Sequence, residues 1–122
     1  MHTFTKAERL RGKAALDQLF ETGKTFNSFP FKIIWLETNR AAAPVQVVIS
    51  VPKRLFKKAV NRNRIKRLGR EAYRKNKGAV YASLGNKKIH LLLIYTAKTI
   101  PEYKEIEEKI ILVFQRLNKA VN

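Results

Sequence analysis

With 122 residues, no cysteine and a 45% apolar composition, the chain suffices for one folded domain, 1–122, and excludes a disulfide framework, a thiolate zinc centre and a cysteine nucleophile. Its 26 lysines and arginines against 9 acids leave a net charge of +17, a self-repulsion best offset by a polyanion. Nucleic acid is the commonest such partner, an anionic membrane surface comes second, and mere solubility is the remaining reading. No apolar run approaches the roughly 20 residues that span a bilayer. The opening Met1–Lys6 leads into charged residues, not into a secretory apolar region, so a cytoplasmic protein is expected.

In chain order, Lys13–Glu21 reads as a short helix with Leu16, Leu19 and Phe20 at helical spacing, stopped by Thr22-Gly23. Phe31–Leu36 and Val45–Val51 are short runs of aromatic and β-branched residues, separated by the turn-like stretch Thr38–Pro44. A long helix is predicted over Lys58–Lys77, bounded by Gly78. Ile89–Tyr95 is almost continuously apolar and short for a buried helix, which suits a central strand covered on both faces. Thr99-Ile-Pro-Glu102 has the spacing of a capping box, placing Pro101 in a first helical turn. Glu102, Glu105, Glu107 and Glu108 then suit the positive end of that helix's dipole, and Ile106, Ile110, Val113, Phe114 and Leu117 form its apolar stripe. Helix, strands, helix, strand, helix is the order of an α+β sandwich with helices packed on a small sheet.

The charge is concentrated. From Lys53 to Lys77 stand 12 basic residues and one acid, Glu71, which is +11 of the total +17. At about 100° per residue, Ile65, Leu68 and Ala72 share one face, with Asn61 and Gly69 beside them. Gly69 leaves room for a second backbone to approach. Arg62, Asn63, Lys66, Arg67, Arg70 and Arg74 fall together on an arc away from that face, and Arg64, Glu71 and Lys75 take the flank. A solvated helix normally intersperses glutamates for i,i+4 pairs; this stripe has none. Arginine forks bind phosphate bidentately and stack on bases, and Asn63 can meet a 2′-hydroxyl, a base edge or a hydrated metal. These residue types do not separate RNA from DNA.

Val51-Pro-Lys-Arg54 together with Ala59-Val-Asn-Arg-Asn-Arg-Ile-Lys-Arg-Leu-Gly-Arg-Glu-Ala-Tyr-Arg74 resembles the signature of the bacterial ribonuclease P protein family, with Arg62-Asn63-Arg64 as its arginine-rich motif. Arg9-Leu10, Leu16, Phe20 and Gly23 resemble the family's opening helix. The resemblance implies a two-layer αβββαβα fold with the motif helix in a left-handed β-α-β crossover. It further implies an accessory subunit that binds a catalytic RNA and assists removal of the 5′ leader from precursor tRNA, with no membrane or DNA partner. By that resemblance Lys53, Arg54, Arg62, Asn63, Arg64, Lys66, Arg67, Arg70 and Arg74 face RNA, while Leu16, Phe20, Phe31, Ile33 and Trp35 are candidates for a leader cleft between the first helix and the sheet. Leu16 stands where relatives often carry Phe, Pro52 where Ser is common, and Gly69 where a larger apolar residue is frequent; the loop Leu55–Lys58 is one residue longer than in some members.

No catalytic site of the protein's own is expected. His2 stands in the opening segment, His90 lies inside an apolar strand where a structural role is commoner, and Asp17 is the only aspartate. No acid and histidine residues have metal-ligand spacing. The resemblance assigns Mg²⁺ and activation of the attacking water to the RNA.

Overall fold

The computed structural model describes residues 4–122; Met1, His2 and Thr3 lie outside the described residues. A 3-10 turn at Lys6–Glu8 precedes helix α1 (Lys13–Thr22), strands β1 (Lys24–Ser28), β2 (Phe31–Glu37) and β3 (Val45–Ser50), helix α2 (Ala59–Leu84), strand β4 (Ile89–Tyr95) and helix α3 (Tyr103–Val121). After the short turn, the order is the αβββαβα expected. The sheet runs β1-β2-β4-β3. β4 pairs antiparallel with β2 and parallel with β3, so α2 is the crossover joining the two parallel neighbours.

Strand alternation assigns the two faces of this sheet. Phe31, Ile33, Trp35, Val45, Val47, Ile49, Ile89, Leu91, Leu93 and Tyr95 point to one side, where they join Ile65, Ala72 and Tyr73 of α2 and Ile106, Ile110, Val113 and Leu117 of α3 in the main core. The intervening Ile34 and Leu92 point the other way and meet Leu10 and Leu19, with Leu16, Leu36, Val48 and Ile94 half-buried around them. Sheet and α2/α3 are the two expected layers; α1 adds a second, smaller apolar patch on the far face.

α2 runs seven residues beyond the predicted end. Gly78 is exposed, and an added Cβ there would meet nothing within 4 Å, so it neither kinks nor caps the helix. The buried series Lys77, Val80, Leu84 continues against the main core, and the helix stops at Gly85, whose φ of 62° is left-handed. α3 starts later than the capping-box reading placed it. Glu102 is its N-cap residue and makes no side-chain cap bond, while the Thr99 carbonyl accepts from the Tyr95 hydroxyl at 2.8 Å. Thr99–Pro101 is thus connecting chain. The predicted α3 stripe is the observed one. β1 is a largely polar edge strand, formed by pairing Lys24–Ser28 with Trp35–Phe31. Gly69 admits a side chain, not a backbone: an added Cβ would lie 2.6 Å from Ile49 Cδ1.

Gly23 sets the seat of α1. A Cβ there would collide with the Leu19 carbonyl oxygen and stand 2.8 Å from Ile34 Cγ2. Gly23→Ala is therefore expected to destabilise the domain by about 1–3 kcal/mol, the usual penalty of overpacking. A urea midpoint equal to that of the unaltered protein would contradict the close seat.

Candidate nucleic-acid interface

α2 turns one edge to the core and leaves the rest to solvent. Ile65, Gly69, Ala72 and Tyr73 are buried, while Asn63, Arg64, Arg67 and Arg70 are exposed. Val60, Asn61, Asn63, Arg64, Arg67 and Arg70 border an open hollow of about 690 Å³. Asn63, Arg64, Arg67 and Arg70 recur at the three- and four-residue spacing of one helical stripe. Three guanidiniums and two amides line it, and no carboxylate does. Arg64, read from the sequence as a flank residue, thus belongs with Arg67. Lys53 and Arg54 are exposed in the turn that leads toward α2, and Lys66 and Arg70 border a neighbouring groove against β3.

Two arginines of the predicted stripe are engaged otherwise. Arg62 is half-buried, and its Nη1 donates to the carbonyls of Phe56 and Lys57, both at 2.8 Å, tying the loop before α2 to the helix's first turns. Arg74 pairs with Glu71 at 2.5 Å, with a second hydrogen bond from Nε at 3.0 Å. That pair holds the Glu71 carboxyl below its ordinary range. Rotation by 100° per residue placed both residues off the core edge of the helix but could not show what stood within reach of their side chains.

The leader-cleft candidates divide by parity. Phe31, Ile33 and Trp35 are 1%, 0% and 4% exposed and lie in the main core under α2 and α3, so they do not line a cleft beside α1. From the same strand it is Lys32, Ile34 and Leu36 that face α1, with Lys32 exposed and Leu36 half-buried. The alternation carried the signal, because an exposed lysine at 32 puts the even positions outward. On α1 itself Phe20 is 61% exposed and Leu16 half-buried against Ile34 and Leu92. Sequence reasoning also passed over Phe29, 71% exposed in the turn between β1 and β2.

His90 is structural. It is buried, its Nε2 lies 2.9 Å from Gln46 Oε1, and burial lowers its pKa. Because an amide oxygen only accepts, Nε2 carries the proton. Among the described residues, no three His, Cys, Asp or Glu side chains are grouped to hold a metal ion, and no helix is long and apolar enough to cross a membrane.

The profile of the Ribonuclease P family matches residues 4–118. The ribonuclease P protein component of Porphyromonas gingivalis is 33% identical over 106 residues, covering 84% of this chain and 77% of that protein. Its counterpart from Thermotoga maritima is 28% identical over 120 residues, covering 94% and 96%. In fold, the RNase P protein of Staphylococcus aureus superposes with a TM-score of 0.72 at 23% identity, over 96% of this chain and 100% of that one. A family match over nearly the whole length, together with a relative one-third identical across most of the chain, shows that this protein belongs to the ribonuclease P protein family.

Proposed function

We propose that the chain binds the catalytic RNA of ribonuclease P through the exposed stripe of α2 and contacts the 5′ leader of precursor tRNA at the open face beside α1. The observation that carries the first part is the carboxylate-free hollow bordered by Asn63, Arg64, Arg67 and Arg70. Such a surface neutralises phosphates and releases their counterions, which makes binding strong and salt-dependent. For the second part, Phe20 offers a solvated ring on α1, one turn from the half-buried Leu16, and base stacking on such a ring tolerates any leader sequence. The protein's share in leader removal is electrostatic and positional. On this reading Mg²⁺ is held by the RNA, and the protein's residues bind and position phosphates.

Affinities of the assembled particle for leader-bearing and for mature tRNA test this reading. The leader-bearing form is expected to bind more tightly, and Phe20→Ala to narrow the difference by about 1–3 kcal/mol. Equal affinities would instead favour a general RNA-binding protein with no processing role.

A further inference from the structure

The segment ahead of α1 is fastened to α2 by a buried ion pair. Glu8 is 4% and Lys77 8% exposed. Lys77 Nζ donates to both Glu8 oxygens, at 2.9 and 2.7 Å, and the Tyr81 hydroxyl donates to Glu8 Oε2 at 2.6 Å. The Thr5 N–H and hydroxyl donate to Oε1 at 2.9 and 3.0 Å. Burying such a pair adds little net stability, because desolvation offsets the attraction, but it fixes geometry.

What it fixes is the path of residues 4–11. Phe4 packs edge-on against Tyr73 at 5.7 Å between centroids, Arg9 bridges to Val47, and the Leu10 N–H donates to the Val47 carbonyl at 3.0 Å. The segment therefore lies along the edge strand β3. Arg9 and Arg11 come to border a groove of about 280 Å³ together with Lys66 and Arg70, over an apolar floor that includes Leu10 and Val48. Four cations and no carboxylate line it. Arg70 borders both this groove and the hollow on α2, so the two are neighbours.

We propose that this groove takes a phosphodiester of the RNA backbone, and that the Glu8–Lys77 pair is the latch that keeps Arg9 and Arg11 in position to bind it. The proposal extends the RNA reading of α2 and rests on it. Facing cations with no counter-charge repel until an anion lies between them. The depression of the Arg70 pKa by burial and, next, by the charge of Arg9 agrees with that crowding.

The test compares Arg9→Ala, Arg67→Ala and Glu8→Ala with the unaltered full chain, binding a bacterial ribonuclease P RNA across a salt series, with circular dichroism as a check on folding. Arg9→Ala is expected to bind on the order of tenfold more weakly and to lower the log–log salt slope by about one. An unchanged slope overturns the groove whatever Arg67→Ala does, and Arg67→Ala separately decides the α2 surface. Glu8→Ala raises the net charge by one, so bulk electrostatics demands tighter binding. The latch demands weaker binding, a smaller slope and faster hydrogen exchange at the Leu10 amide. A full slope or tighter binding overturns it. Should Glu8→Ala not fold, Tyr81→Phe removes one hydrogen bond to Glu8 and is expected to show the same loss in smaller measure; a full slope there overturns the latch equally.

Discussion

Alanine at both Arg67 and Arg70 is expected to weaken binding to a bacterial ribonuclease P RNA by on the order of a hundredfold near physiological salt, taking about 1.5 kcal/mol per charge-assisted phosphate contact. The same change is expected to lower the salt slope by about two, since each lost phosphate contact retains its counterion. Both side chains are exposed and off the buried edge of α2, so the thermal unfolding midpoint should hardly move. That combination separates a binding surface from a structural one. A normal slope with the double variant folded would remove the phosphate contacts from these two arginines.

Ile65→Asp is expected to abolish folding. Ile65 is 0% exposed and belongs to the main core that the sheet, α2 and α3 share. A carboxylate placed there loses its water and gains no cation, a penalty of several kcal/mol. Against a net stability of about 5–15 kcal/mol for an ordinary domain, further eroded by self-repulsion of the basic chain, little is left. Ile65→Ala keeps the site apolar and should lower stability by about 2–5 kcal/mol while remaining cooperative. A cooperative, native-like urea transition for Ile65→Asp would show that α2 is not anchored through this position.

Acid should open the N-terminal latch before the core yields. Burial alone would raise the Glu8 pKa, but hydrogen bonds from Lys77, Thr5 and Tyr81 outweigh it and hold the carboxyl below its ordinary 4.5. A depressed carboxyl contributes stability above its unfolded pKa and loses it as the pH falls through the folded value. Exchange of the Leu10 amide is therefore expected to accelerate as the pH is lowered below about 4.5, after correction for intrinsic exchange. A protection factor independent of pH in that range would contradict the coupling.

What the sequence revealed followed from periodicity and charge. The stripe of α3 recurs at helical spacing and is the observed one, whereas on α2 Ile65, Gly69 and Ala72 are buried as read, Leu68 is only half-buried, and Tyr73 joins the core unannounced by the spacing. β1 has no such pattern. Lys24, Thr25 and Asn27 are exposed and only β2 pairs with the strand, so it exists through its partner and was legible only through the family resemblance. Strand parity was readable at Lys32 but obscured by the aromatic residues at 31 and 35, whose size drew them to the larger core. Arg62 and Arg74 show the same boundary in the site. Their positions on the helix were predictable, whereas the Phe56 and Lys57 carbonyls that hold Arg62 depend on how the preceding loop folds back. Nor does spacing reveal Glu8 beneath Lys77, a pairing across 69 positions of the chain.

The most direct measurement is cleavage of a precursor tRNA by a bacterial ribonuclease P RNA, with and without this protein, at a magnesium concentration that leaves the RNA alone nearly inactive. The expected result is release of the 5′ leader at a much higher rate when the protein is added, with most of that gain lost in Arg67→Ala/Arg70→Ala. Equal rates with and without the unaltered protein would contradict its placement as the electrostatic partner of the catalytic RNA.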